Sequence, residues 1–568
     1  MKQRAFDQYQ KSRLQFVQTI ADLSNNPQNI KSLEEAQVFS QLFPLMLDDV
    51  PSIQHNALLA LGRMADHSKE LAMIVVMGDV LPQLIQSIPS QNLHYKKTGA
   101  FVLRAVAKHS HELSQFVVDC GALEALVLCL EDFDLGVKEA AAWTLGIISQ
   151  QSALLSQAVV DAGAVPLLVL SLKENAIALK CIAAFALSEI SKHTCELAQV
   201  VADTGAITAL AKMICSPDAK LRKQVLSTLT QISKHSVELA EMVVATNIFL
   251  NVMVYLQDLD KYVKKNVITL MSEVVKHSAE LSQVIVNCGG LAEVVDYLDK
   301  SRGKMRLPGI MTLGYVAAHS ENLAEAVILS RGVHQLAVCL SEEDEDHIKV
   351  ATVWSIGQIG HYTAEHAMAV ATAGLLPKLL QLYMEASSSE DLQLKSKKAL
   401  KDILLKCTHL PSLEPLLYSA PTNIVKHVLG QFSKVLLHDR IACQQFVLSG
   451  GLRKVQEMDA EPGSAVYEHI TTINSCFPPE VIKYCPPGNS ETLLKCSEEY
   501  QPSDVDHSFR NATPARPATP NGSRGVPSRP SQGPSCPARR PADPRRSGVP
   551  PSTNTAMQWR EPLLRQHQ

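Results

Sequence analysis

Residues 107–126 read AKHSHELSQFVVDCGALEAL and place His109, Ser110, His111, Asp119 and Cys120 within a dozen positions. A serine beside two histidines suits nucleophilic chemistry, and His, Asp and Cys suit a metal, so the first question is whether the stretch is singular. It is not. ADHSKELAMIVV, SQQSALLSQAVV, SKHTCELAQVVA, SKHSVELAEMVV, VKHSAELSQVIV, AAHSENLAEAVI and HYTAEHAMAV repeat its pattern. The hydroxyl residues Ser68, Ser110, Ser152, Thr194, Ser236, Ser278, Ser320 and Thr363 are spaced by 42 six times and then by 43. A second column, Leu61, Leu103, Leu145, Leu187, Leu229, Met271, Leu313 and Ile356, keeps the same spacing inside segments such as VKEAAAWTLGIIS. A fixed period of this length is the mark of a repeat architecture.

One unit predicts three helices. The hydroxyl is followed two positions later by Glu70, Glu112, Glu196, Glu238, Glu280 or Glu365, which is an N-cap with an acid in the first turn. Eleven residues after the hydroxyl stand Gly121, Gly163, Gly205, Gly289 and Gly374, the residue a left-handed helix stop favours. A second helix such as GALEALVLCL follows, then an acidic link such as EDFD, then a third helix with apolar residues at i, i+3, i+4 and i+7. Three helices in this length is the armadillo type of unit, and such units must stack to bury their apolar faces. The expected fold is an all-α, right-handed armadillo superhelical solenoid: a capping helix within 1–25, near Arg4 to Leu23, then about eight repeats over 26–385. The first repeat is irregular, with Pro27 in place of the hydroxyl. Degenerate repeats and a C-terminal cap are expected over 386–500, with SSSED at 387–391 as an enlarged loop, Thr408 and Asp439 as shifted copies of the hydroxyl position, and VLSGGLRKVQEM as a second helix.

Residues 501–568 hold 13 prolines, 10 arginines, no lysine and four acids. That composition predicts disorder. The tail carries a net charge of +6, which leaves −10 on the rest of a chain whose total is −4. Arg524, Pro527 and Pro530 fit an RxxPxxP ligand pattern for SH3 domains. The total charge carries no signature for nucleic acid. The N-terminus lacks a signal-peptide apolar core, and no apolar run is long enough to span a bilayer. No membrane partner and a cytosolic or cytoskeletal location are the expectations. The 13 cysteines are scattered without a CxxC pair; reduced thiols are expected, with Cys129, Cys181 and Cys339 inside apolar runs.

Periodicity argues against chemistry. His67, His109, His193, His235, His277 and His319 occur one per repeat, and stacked helices sit about 8–10 Å apart, too far to converge on an ion that takes ligands at about 2 Å. The histidines are expected to cap third helices, and Gln151 replaces one of them. A serine at every helix start is not a catalytic residue, and no nucleophile-elbow, phosphate-loop or zinc-protease motif is present. No catalytic residue, cofactor or metal is expected.

A binding surface is the remaining class. Seven positions before each third-helix core residue stand Lys96, Lys138, Lys180, Arg222, Lys264, Arg306 and Lys349, with Gln54 in the first repeat. A cation in a first helical turn opposes the helix dipole, so helix propensity does not explain the column. Either the stripe binds an acidic partner, such as an acidic peptide or a tubulin tail, or each base pairs with the acidic link just before it. The second reading puts Lys138 on Asp132 or Asp134 and Lys349 on Glu343 or Asp344. Armadillo carriers of nuclear-localisation peptides repeat Trp-x-x-x-Asn on the third helix. Here Trp143 and Trp354 are followed by Ile147 and Gln358, and the other copies carry Ala105, Glu189, Gln231, Glu273 and Tyr315. Without an asparagine ladder, that cargo is disfavoured and the tryptophans are expected to serve packing.

AFVLRAVAKHS (100–110), VVDCGALEALVLCLEDFD (117–134), RLPGIMTLGYVAAHSENLA (306–324), KSKKALKDILLKCT (395–408) and GQFSKVL (430–436) give the chain a resemblance to the armadillo-repeat proteins of the central apparatus of motile cilia and sperm flagella. It covers about residues 5–502. It implies a non-catalytic structural protein of the axoneme that supports ciliary and flagellar motility, with central-apparatus proteins and microtubules as partners. Self-association is open to a repeat array with two large flanks, and a cytosolic adaptor for acidic peptides is the alternative. The family's chain ends shortly after a segment like EEYQP, and Gly146 and Gln150-Gln151 stand where larger or basic residues are expected, both departures that suit a diverged copy.

Overall fold

The computed structural model describes residues 2–253 and 260–483, and among them every regular element is helical. The chain divides into two bodies, Met1–Gln431 and Phe432–Gln568. The tail from 501 and its RxxPxxP segment lie outside the described residues.

In the first body, helix Lys2–Leu23 precedes nine helical triplets. Their third helices, labelled by repeat, are α1 (Pro51–His67), α2 (Leu93–Ala107), α3 (Leu135–Gln151), α4 (Ile177–Ser191), α5 (Ala219–Ser233), α6 (Lys261–Val275), α7 (Leu307–His319), α8 (Asp346–Gly360) and α9 (Glu390–Leu404). Each of α1 to α8 packs on the third helix of the next repeat. The core column from Leu61 to Ile356 lies along this stack, and none of its eight side chains is more than 1% exposed.

The local causes are those the sequence implies. Ser110 Oγ accepts the Leu113 N–H at 3.4 Å, and the hydroxyls of Ser68, Ser152, Thr194, Ser236, Ser278, Ser320 and Thr363 cap their helices the same way. Gly121 at φ 83° separates His111–Asp119 from Ala122–Leu130, which meet at 80°. Where the glycine is missing the backbone turns identically: Asp79, Asn247 and Arg331 occupy the same left-handed position at φ 53°, 57° and 65°. Stacking therefore imposes the turn even on residues that disfavour it. Among the described residues no single helix is long and apolar enough to cross a membrane, although five bent pairs of first and second helices pass together by length and composition.

Three boundary expectations are corrected. Asn26, not Pro27, holds the cap position of the first repeat; its side chain accepts the Gln28 N–H at 3.1 Å, and Pro27 takes the first helical position. The SSSED segment is partly helix, because Ser389 caps α9 through the Leu392 N–H. Thr408 caps nothing, and the next helix, Leu410–Ser419, starts after His409.

In the second body Asp439 caps Arg440–Leu448 by accepting the Ile441 and Ala442 N–H groups. Gly450 at φ 86° then opens Gly451–Gln456, the second helix expected at VLSGGLRKVQEM. Phe432 and Phe446 stack with centroids 4.6 Å apart, and Ser464 caps Ala465–Ser475.

Candidate partner-binding surface

Of the residues that first looked catalytic, Ser110 caps its own helix and His109 joins two repeats. His109 Nε2 lies 2.7 Å from the Ala65 carbonyl of the preceding repeat, and His193, His235, His277 and His319 reach Ser149, Ser191, Ser233 and Val275 in the same way. A carbonyl only accepts, so Nε2 carries the proton. The ring thus caps the third helix of its neighbour, not of its own repeat. In the replacing copies, Gln151 Nε2 donates to the Lys108 carbonyl and the Tyr362 hydroxyl to the Ala317 carbonyl. Hydroxyls fill the second lone pair: Ser156 donates to Ser149 O and Ser282 to Val275 O. These carbonyls belong to the last turns of third helices, where the helix leaves them without partners. Burial lowers the pKa of His193, which keeps it neutral. Burial also pushes the thiols of Cys129 and Cys339 up to about 11, so neither is a reactive thiolate. Cys181 is only partly buried.

The column of seven bases also turns out to be divided. Lys96 Nζ donates to Asp132 at 2.8 Å, and Lys138 to Glu174 at 2.8 Å. Both acids lie 36 residues further on, in the link of the following repeat, so the expected pairing with the link just before is corrected in direction. Asp134 instead caps α3 and receives Lys97 at 2.7 Å. Arg306 is wholly buried between Glu342 at 2.6 Å and Glu343 at 2.8 Å, and its Nε donates to the Leu298 carbonyl. It has no surface to offer a partner. Arg222 donates to the Ser216 carbonyl at 2.6 Å. Lys180, Lys264 and Lys349 form no ion pair among the described residues. For the first two the register gives the reason: the position 36 residues on holds Ser216 and Lys300.

Aromatic side chains form a second row on the third helices. A Cβ on Gly62 would sit 2.6 Å from the Phe101 ring of the next repeat, and one on Gly146 2.8 Å from that of Phe185. Gly146 is therefore the socket for Phe185 rather than a lost larger residue. Trp354 packs the same way on Gly314 and is 7% exposed. At the equivalent place repeat 2 has Arg104, whose guanidinium stacks on Trp143 at 3.7 Å and leaves that indole 38% exposed. Trp354 thus serves packing, whereas Trp143 opens onto a cleft of about 530 Å³ lined by Glu139, Ile177, Cys181, Phe185 and Lys220. The aromatic row was legible as a column two positions before the core residue, but only the Arg104 stack reveals that one member stays open.

Comparison with known proteins fits this architecture. A family model described as Armadillo/beta-catenin-like repeat matches residues 110–150, which is repeat 3. The crystal structure of an engineered protein, 22% identical, superposes with a TM-score of 0.64 over 69% of this chain and 94% of its own, a likeness of fold alone. Sperm-associated antigen 6 from Mus musculus and from Homo sapiens are each 76% identical over 499 residues, which covers 88% of this chain and 98% of each relative. The chain belongs to the sperm-associated antigen 6 family of armadillo-repeat proteins.

Proposed function

We propose that the chain is a non-catalytic structural protein of the axonemal central apparatus, associated with microtubules and supporting the movement of cilia and sperm flagella. The 76% identity to sperm-associated antigen 6 over 499 residues carries this reading. The commitment of the periodic serines and histidines to helix caps supports it, because it leaves the array its stacked surface as the means of action. Of the basic column we assign partner contact to Lys180, Lys264 and Lys349. Lys96, Lys138 and Arg306 hold neighbouring repeats together, and Arg222 is held by a backbone carbonyl. Central-apparatus proteins and tubulin are the proposed partners, together with further copies of the chain.

Localisation of a tagged full-length chain in flagellated cells tests the proposal. The expected result is signal along the axoneme that survives detergent extraction. Diffuse, extractable signal would overturn it in favour of a cytosolic adaptor.

A further inference from the structure

The first and second helices of repeats 5 and 6 leave between them a cleft of about 550 Å³, and no residue of a third helix lines it. That volume lies within the range of about 300–1,000 Å³ typical of ligand pockets. Its apolar bed is Ala202, Ile207 and Ala211, all buried, with Met242, 38% exposed, and Ala245 at the rim. Three exposed polar side chains share the lining: Thr208 and Lys212 from Ala206–Lys212, and Asn251 from Ile248–Met253. Among the described residues Lys212 forms no ion pair, and neither Thr208 nor Asn251 forms a side-chain hydrogen bond. The remaining hydroxyl, that of Thr246, is spent on the Val243 carbonyl at 2.7 Å. An ammonium, a hydroxyl and a carboxamide N–H are donors whose common complement is a carboxylate.

The preceding junctions act as an internal control, because the 42-residue period carries each of these positions back onto them. Where repeats 5 and 6 have Thr208, Lys212, Ala245 and Asn251, repeats 4 and 5 have Pro166, Leu170, Asp203 and Ala209, and repeats 3 and 4 have Glu124, Leu128, Asp161 and Leu167. A base near a helix end suits the dipole, yet Leu128 and Leu170 stand there 53% and 55% exposed, so stacking does not require one. Ala245 makes the opposite change. Asp161 and Asp203 each accept from the glutamine four residues earlier at 2.7 Å, and their charge would repel an anion. Alanine removes that charge and clears the space. Glu241 and Asp203 adjoin lining residues of the cleft without lining it themselves. At this one of the three junctions, then, three donors are gained and the rim acid is lost.

We propose that this cleft captures the C-terminus of a partner polypeptide, with the last side chain, an apolar one, on the bed of Ala202, Ile207 and Ala211 and the α-carboxylate on Lys212, Thr208 and Asn251. Charge complementarity selects a carboxylate, and two further features select a chain end. A small free acid buries most of its surface in its pocket, whereas every donor here is exposed, so the occupant continues outside the cleft. In an extended chain successive side chains point to opposite faces and each residue advances about 3.3 Å. An acid next to an internal apolar residue therefore points away from the cleft that holds its neighbour. A terminal carboxylate is bonded to the same Cα as the last side chain, so the two enter together. Capture of a terminal carboxylate is a recurring mode of peptide recognition. The inference goes beyond the axonemal reading and does not depend on it: localisation tests that reading, and peptide binding tests this one.

The test uses the full-length chain and a fluorescein-labelled Gly/Ser peptide of eight residues that ends in Leu with a free carboxylate, followed by anisotropy at low salt. Amidating the terminus should weaken binding about tenfold or more, and replacing the last Leu by Gly several-fold. Lys212→Gln should weaken it about tenfold while Lys212→Arg keeps most of it, since the charge is what the carboxylate meets. Ala245→Asp should also cost about tenfold. Repeats 4 and 5 carry Asp at this position, so the fold accepts it, and an unchanged thermal midpoint verifies that the variant is folded. Lys31→Gln, at an exposed position of repeat 1, should leave binding unchanged. Equal affinity of the amidated peptide or of the Ala245→Asp variant would overturn the proposal, as would no binding to the wild-type chain at about 1 mM peptide. An amidated peptide with an internal Leu-Asp pair that binds as well as the free terminus would overturn the choice of a chain end. Octanoate that displaces the peptide at no higher concentration than the unlabelled peptide would replace the partner polypeptide with a small acid.

Discussion

Arg306 and Lys264 occupy the same position in successive repeats, and they have opposite fates. Arg306 is sealed between α7 and the acidic link before α8, with both ends of its guanidinium on carboxylates and its Nε on a carbonyl. Lys264 sits one repeat earlier, the position 36 residues on from it holds Lys300, and it forms no ion pair among the described residues. One column of like charge thus contains a structural staple and an open cation. The difference is set by the residue 36 positions on, which stacking brings alongside.

The comparison is most sharply tested by removing both side chains. Arg306→Ala leaves Glu343 buried without its cation and should cost about 3–5 kcal/mol, seen as a lower urea midpoint and faster hydrogen exchange at the α7–α8 junction. Acid should make the same distinction. The Lys96 ammonium holds Asp132 below the ordinary carboxylate value of 3.8, and Arg306 holds Glu342 below 4.5. Lys97 does the same for Asp134. A lowered carboxylate contributes stability above its unfolded pKa and loses it as pH falls through the folded one. Exchange at the α2–α3 and α7–α8 junctions should therefore rise as pH drops below about 4.5, more than at α6–α7, where the described residues show no ion pair between the two helices. His193 adds to the loss from below pH 6.5, since burial lowers its pKa and the unfolded chain takes up the proton first.

Smaller effects refine the picture. His235→Ala strands the Ser191 carbonyl and should cost about 1–2 kcal/mol, measured by the thermal midpoint. Arg331→Gly relieves a left-handed arginine at φ 65° and should stabilise by about 1 kcal/mol. Ser216→Asp supplies the acid that Lys180 lacks and should add up to about 1 kcal/mol, turning an open position into a staple. Lys264→Ala should change stability by less than about 0.5 kcal/mol. A large loss there would erase the contrast with Arg306.

How much of this could be read in advance differs by residue. Ser110 and Gly121 were legible because a cap and a left-handed turn depend on a few consecutive residues. Lys138 was legible as one of a series but not in its partner: sequence proximity pointed to Asp132, whereas the side chain reaches Glu174. The spacing of 36 was visible in Asp132, Glu174 and Glu342, yet nothing short of the stacking register says that it, and not adjacency, measures distance. Trp143 and Trp354 look alike in sequence; Gly314 buries one, and Arg104 props up the other.

Sequence by itself determined the period, the three helices of each repeat, their caps and the stacked core, because each depends on local geometry or on a pattern that must recur for the repeats to bury their faces. Only the tertiary structure decided which periodic polar groups are spent on that stack and which remain at its surface. The capacity of a base to bind a partner depends on what the next repeat places beside it, a relation between residues that the chain keeps far apart and the fold brings together.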